Sequence, residues 1–354
     1  MIGSFRVLNA MIPEEHRDWI SYWDKWPGRE VLAHPNYVKL FVRPGDQPLC
    51  AIWSSPEGMV LFPFTLRPLT TEPWAGNLGD MCDLVTPYGY GGPFVYGRPA
   101  AENFWDEFDT WCSSNRVVCS FIRLSLFEEQ ILSIRGPVEE KAMNIVRRLN
   151  LDAGAVWMDY EHKVRKNVQK ARRAGLVVER DEKGDRLDAF LEVYYSTMQR
   201  RQVLEQYYFP KTFFESIIHE LEGQFSFFHV WQDQKLVSTE LVLVSADHIY
   251  SFLGGTIEEA YNMRPNDLLK HEVIEWGTLQ GKKTFVLGGG YKNGDGIFRY
   301  KKAFSPGGEM SFKVAARILM PDAYVQLCNL RREWEASKGN NWNSRKDYFP
   351  AYRS

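Results

Sequence analysis

The chain is predicted to be an α/β (α+β) protein built from two similar units in tandem, and three observations lead there. At 354 residues it is about twice the length of a typical domain. Its hydrophobic fraction of 44% and charged fraction of 25% are those of an ordinary globular protein with enough apolar material for a sizeable core. Each half also reads as helix, antiparallel strands, helix and strand in the same order, a likeness of pattern and not of residues. The expected division is 1–155 and 156–320, with a closing helix at 321–336 packing back on the first unit and a poorly ordered tail at 337–354.

In the first half, a short strand is expected at Phe5–Leu8 and a helix around Pro13–Trp23. Pro13 suits a first helical turn, where its missing N–H has no helical partner. Leu49–Ser54 and Met59–Leu66, joined by a turn at Pro56–Gly58, have the form of a hairpin. The Gly, Pro and Tyr-rich run Thr86–Pro99 is expected to be loop. A helix at Ala100–Cys112 and a strand at Val117–Leu124 follow.

The second half opens with KVRKNVQKARR at Lys163–Arg173, which carries six basic side chains and no acidic one. On a helix over 160–175, Val164, Val168, Ala171 and Gly175 fall at i, i+4, i+7 and i+11 and form a thin apolar stripe. Lys163, Lys166, Lys170 and Arg173 form a neighbouring stripe. Such a face fits an anionic partner such as phosphate, and it equally fits a solvated surface helix. Gly175 is a natural stop. Strands are then expected at Leu176–Arg180, Phe225–Trp231, Leu236–Ser245, His248–Gly254 and Thr284–Leu287, with helices at Leu187–Arg200, Lys211–Glu222 and about Asn266–Gln280.

Charge and cysteine usage narrow the function. The 43 basic and 45 acidic residues give a net charge of −2, which argues against a general nucleic-acid binder. The five cysteines form no C-x-x-C pair, so free thiols in a reducing compartment are expected and no zinc signature is seen. There is no basic n-region followed by an apolar core at the N-terminus, and no apolar run of roughly 20 residues. A cytoplasmic protein without membrane insertion is the expectation.

Several segments carry candidate chemistry. DLVTPYGYGGP at Asp83–Pro93 cannot form regular structure, and Tyr88 and Tyr90 would share a face if it is extended. STMQRRQVLEQYY ends a helix with Arg200, a candidate fork for phosphate or carboxylate or simply a helix-dipole partner, and closes on Tyr208. Glu240 is out of place among Val237, Leu241, Val242, Leu243 and Val244; a half-buried carboxylate there needs a partner or a proton-transfer role. RPNDLLKHEVIEWG supplies Asn266 at a helix entry, where free N–H groups bind phosphate, though Asp267 also suits plain capping. Gly288, Gly289 and Gly290, followed by DGIFRYKKAF with Arg299, Lys301 and Lys302, suggest backbone closely approached by a phosphorylated ligand without being a Walker loop.

Taken together and in this order, YEHKVRKNVQKARRAG at 160–175, the T-x-x-R of Thr197 and Arg200, and LGGGY…DGIFRYKKAF at 287–304 resemble the FemAB-like branch of the GNAT acyltransferases. The resemblance implies two tandem GNAT-like domains packed side by side, with the reaction in a cleft between them. It implies acyl-CoA as co-substrate, no metal, and transfer to the amine of a nucleotide-linked (dTDP or UDP) amino deoxysugar for surface polysaccharide such as O-antigen or capsule. An aminoacyl-tRNA-dependent transferase of FemX type acting on peptidoglycan precursors is the alternative, in which RNA would meet the basic helix. A non-catalytic pair that binds sugar nucleotides is a third reading. Glu240 is the expected general base, with Asp83 second and Tyr291 as proton donor to the departing thiolate. Tyr88, Tyr90, Lys166, Arg200 and Tyr208 are expected at the acceptor, and Asn266, Gly288, Gly289, Gly290, Arg299 and Lys301 at the CoA.

Overall fold

The computed structural model describes residues 3–354 except 79, 203–207, 293 and 346, and the chain divides into two units. The first gathers residues 1–27, 32–141 and 312–354; the second gathers 28–31 and 142–311. In chain order the first contains β1 (Ser4–Asn9), α1 (Pro13–Asp24), α2 (Pro35–Lys39), β2 (Gln47–Ser55), β3 (Gly58–Pro68), β4 (Cys82–Val85), β5 (Phe94–Gly97), α3 (Ala101–Ser114) and β6 (Val117–Arg123). The chain continues through β7 (Val138–Arg148), α4 (Ala153–Asp159), α5 (His162–Arg173), β8 (Val177–Asp181), α6 (Leu187–Arg200), α7 (Lys211–Glu220), β9 (Phe225–Gln232), β10 (Lys235–Val244), β11 (His248–Thr256), α8 (Pro265–Leu279), β12 (Thr284–Gly288) and α9 (Gly296–Lys302). It ends with β13 (Glu309–Ile318) and α10 (Pro321–Ser337). Among the described residues no helix is long and apolar enough to cross a membrane.

The two ladders share one design. In the first unit the order is β1-β2-β3-β4-β6-β13, antiparallel throughout except for the parallel β4–β6 pair, with β5 added to β3. In the second it is β8-β9-β10-β11-β12-β7, again antiparallel except for one parallel pair, β11–β12. A parallel pair needs a helical crossover, and α3 and α8 supply it. Each unit is thus a mixed sheet of one plan, and the chain carries two of them in tandem.

Periodicity explains most of the packing. Val164, Val168 and Ala171 of α5 are buried as the i, i+4, i+7 stripe requires, while Lys166, Lys170 and Arg173 are exposed. Gly175 ends that helix at φ +75°, a left-handed conformation that costs glycine nothing. In the first unit Phe62 and Phe64 of β3 pack on Phe104, Trp105 and Phe108 of α3, with the Phe62 and Phe108 rings 5.1 Å apart.

Three expectations are corrected. The 86–99 stretch is not all loop, because Phe94–Gly97 forms β5 against β3. Strands β7 and β13 were not foreseen: the first opens with the charged Val138–Lys141, and Ala315–Ala316 blur the alternation of Met310, Phe312 and Val314. Finally, the C-terminal segment is tied down. Tyr352 is fully buried beside Leu327 of α10, and Arg353 donates to Asp83.

Candidate active site

The two units differ at their parallel strand pair. In the first, β4 pairs with β6 up to its last residue, Val85, and Thr86 N–H continues the ladder by donating to Phe121. In the second, β11 and β12 pair only at His248–Tyr250 and Thr284–Val286. Beyond that β12 turns away, while β11 runs on through Ser251–Thr256 with β10 as its one paired strand among the described residues. Sheet edges are normally paired or covered because their amides need partners. Here the freed edge faces a cavity of about 820 Å³ lined by α6, β10, β11, α8 and α9 residues, all of the second unit. A bulge at Phe252, where the register passes from Leu241–Leu253 to Val242–Ser251, kinks β11 at the opening.

The floor of the cavity is charged. Glu240 of β10 is 4% exposed and pairs with Lys270 of α8, itself 6% exposed. Ser251 Oγ donates to the same carboxylate oxygen, Oε1, and accepts from Lys270 Nζ at 2.8 Å. The other oxygen, Oε2, is buried and makes no hydrogen bond among the described residues. Lys301 of α9 also lines the cavity and donates to Gly289 O at 2.7 Å. Burial, then the Lys270 charge, lowers its pKa to about 8. Tyr300 and Asp267 complete the polar wall, and burial raises the pKa of both.

At the mouth, α8 begins at Arg264, a left-handed residue with φ 64°, followed by Pro265. No side chain caps this end, and Arg264–Asp267 all line the cavity, so the helix terminus presents its positive end inward. The T-x-x-R pair has a definite task. Thr197 Oγ1 accepts from Thr256 N–H at 3.2 Å and Arg200 Nη1 donates to Thr256 O at 3.2 Å, so together they clasp the free end of β11. Arg200 also lies over the Tyr261 ring at 5.2 Å.

The structure brings together Glu240, Arg200, Asn266, Lys301 and Tyr291, the last 70% exposed at the rim. The other expected site residues do not line this cavity. Asp83 is fully buried in the first unit, where Arg67 and Arg353 take its two oxygens and Tyr352 adds a bond at 3.2 Å. Tyr88 and Tyr90 also belong to that unit: Tyr88 O accepts from Tyr37, and Tyr90 packs edge-on to Phe312. Lys166 lies on the solvent face of α5, and Tyr208 is exposed just after the 203–207 stretch of the predicted cluster, which lies outside the described residues.

The glycine run has an internal ligand. Asp295 caps α9 by accepting from Phe298, Tyr291 and Lys292 N–H groups, and a Cβ on Gly290 would sit 2.2 Å from Asp295 Oδ1. Gly289 is pressed against Met143 O, Gly288 adopts φ +80°, and exposed Arg299 donates to Gly294 O. These residues shape the turn into α9 and thereby place Lys301. Lys270 and Ser251 were missed. Lys270 shares a helix face with Asp267, Ile274 and Gly277, so a charge amid that apolar spacing was the available signal. A cluster passed over in the sequence, His271, Glu272 and Glu275 at i, i+1 and i+4 of α8, lies beside Arg172, which pairs with both glutamates.

Comparison with known proteins agrees with this picture. Residues 159–302 match the family model described as an acetyltransferase (GNAT) domain. No curated protein sequence matches the chain. Among solved structures, FemX superposes with a TM-score of 0.67 at 13% identity, covering 88% of this chain and 98% of that one. The C-terminal domain of a putative lysylphosphatidylglycerol synthetase from Agrobacterium fabrum gives 0.55 at 13% identity, covering 90% and 97%. L-PGS from Bacillus licheniformis gives 0.53 at 11% identity, covering 92% and 98%. At such identities the likeness establishes the fold, and the match over residues 159–302 supports the chemistry: the chain is an acyltransferase with a tandem GNAT-like fold, for which acyl-CoA is the implied co-substrate.

Proposed function

We propose that the cavity of the second unit transfers an acyl group from acyl-CoA to the amine of a nucleotide-linked amino sugar, with Glu240 as general base. The observation that carries this reading is the β11 edge, left unpaired by β12, facing a buried carboxylate whose Oε2 has no partner among the described residues. The uncapped N-terminus of α8 with Arg264 and Asn266 suits the diphosphate of CoA, and Arg200 and Arg201 add cations at the same mouth. A thioester laid along β11 would lie beside Glu240 and Ser251 on the same cavity wall.

In the reaction the acceptor nitrogen loses a proton to Glu240 Oε2 as its N–C bond forms. The C–S bond then breaks and the thiolate takes a proton. Lys301, inside the cavity with a pKa near 8, is better placed for that donation than the exposed Tyr291. The test is thiol release from a panel of acyl-CoAs with nucleotide amino sugars as acceptors. Glu240→Gln should remain folded and slow turnover by roughly 10²-fold or more; a folded variant with full turnover removes the residue from the mechanism.

One observation favours a second reading. The exposed Lys166, Lys170 and Arg173 lie on α5, which is tied to the cavity wall by Asn167 Nδ2 donating to Asp267 at 3.0 Å. An aminoacyl-tRNA donor would use that stripe, so transfer that requires charged tRNA and is abolished by ribonuclease selects this reading.

A further inference from the structure

We propose that Lys270 is a positioning residue that, together with Ser251, holds the Glu240 carboxylate oriented as base. The proposal rests on the reading of Glu240 as base and adds a residue to it.

Burying an ammonium and a carboxylate costs several kcal/mol per ion before they attract each other, so such a pair is poor evidence for stability and asks for another reason. The helix neighbours of Lys270, Leu269, Val273 and Ile274, are buried apolar residues, and its Nζ lies 5.5 Å from the Phe285 ring. Its contacts are asymmetric. Lys270 and Ser251 both donate to Oε1 of Glu240, and among the described residues nothing donates to the buried Oε2. Two donors on one oxygen fix the carboxylate plane, so the orientation in which the base meets the amine is set by Lys270 and Ser251.

The same ammonium acts on the opposite side. Its field is the second cause, after burial, of the lowered pKa of Lys301, while Glu240 pulls in the other direction. The groups that face this centre are Lys270 and Asp267 from α8, Ser251 from β11, and Tyr300 and Lys301 from α9. Among them Lys270 is the one cation bonded directly to Glu240.

The test compares Lys270→Met, Lys270→Arg, Ser251→Ala and Glu240→Gln with the wild type. Each is measured for kcat, KM and the pH dependence of kcat/KM with one acyl-CoA and one amine acceptor, and folding is checked by denaturation. Lys270→Met is expected to lower kcat by roughly 10²-fold with KM for acyl-CoA little changed, and to move both limbs of the profile to higher pH. Lys270→Arg, which keeps the charge, should restore much of kcat and return the limbs toward their original positions. A folded Lys270→Met enzyme with wild-type kcat and unmoved limbs overturns the proposal. Should that variant fail to fold, Ser251→Ala decides: a loss of roughly tenfold in kcat supports the clamp, and unchanged kcat and profile refute it. Full activity of Glu240→Gln is a different failure, because it removes the base itself.

Discussion

Glu240 and Asp83 are both carboxylates set in apolar sequence, and they have opposite fates. Glu240 keeps a free buried oxygen in a cavity; Asp83 has both oxygens consumed by Arg67, Arg353 and Tyr352. The sequence marks Glu240 as a charge among Val and Leu, costly unless paired, and offers Asp83 only as a second base at the head of a Gly- and Tyr-rich loop. The structural fate of Asp83 was not legible there, since two of its three partners, Tyr352 and Arg353, lie at the far C-terminus and no spacing rule links positions that distant. Lys270 was hidden for a related reason: its meaning appears only once β10 and α8 are in contact. The account predicts that Arg353→Ala, which strands the buried Asp83 carboxylate, costs about 3–5 kcal/mol of stability, read as a fall in the urea midpoint. An unchanged midpoint would show that Arg67 alone suffices.

At the scale of elements, the T-x-x-R motif was legible as a signal but not as a device. In the structure it clasps the last residue of β11, and Gly255 makes this possible. A Cβ at Gly255 would lie 2.4 Å from Thr197 Oγ1 and 2.8 Å from Val193 O. Gly255→Ala should therefore push α6 off the strand, cost about 1–3 kcal/mol as overpacking does, and weaken CoA binding in a calorimetric titration. Retained affinity would mean that the clasp does not shape the cavity. The glycines at 288–290 point the other way: their promise as a ligand cradle came from composition, but they wrap the Asp295 cap. Composition announces that backbone must come close to something without saying to what. The long amphipathic helices and the β2–β3 hairpin were readable because their periods are sustained; β5, of four residues, was not.

Across the whole molecule, the repeated order of elements was visible in the sequence as two copies of one plan. The pairing diagrams add the asymmetry that matters: one parallel pair closed, the other splayed. Buried neutral histidines in both units also give a prediction for overall stability. Burial lowers the pKa of His34, His248 and His271 to about 4 from 6.5. As pH falls through that window the unfolded chain binds protons first, so stability is present above pH 6.5 and is lost as the pH approaches 4. The slope approaches about 4 kcal/mol per pH unit where all three contribute. The urea midpoint should drop steeply on acidification across this range, and a flat profile would contradict the burial of these rings.

The central claim is that the splayed seam of the second unit is where acyl-CoA sits. A crystal structure of the protein soaked with coenzyme A tests it most directly. The account predicts pantetheine density along Ser251–Thr256 and the diphosphate at Arg264–Asp267. Coenzyme A bound in the first unit alone, or on the outer face of α5, would contradict it.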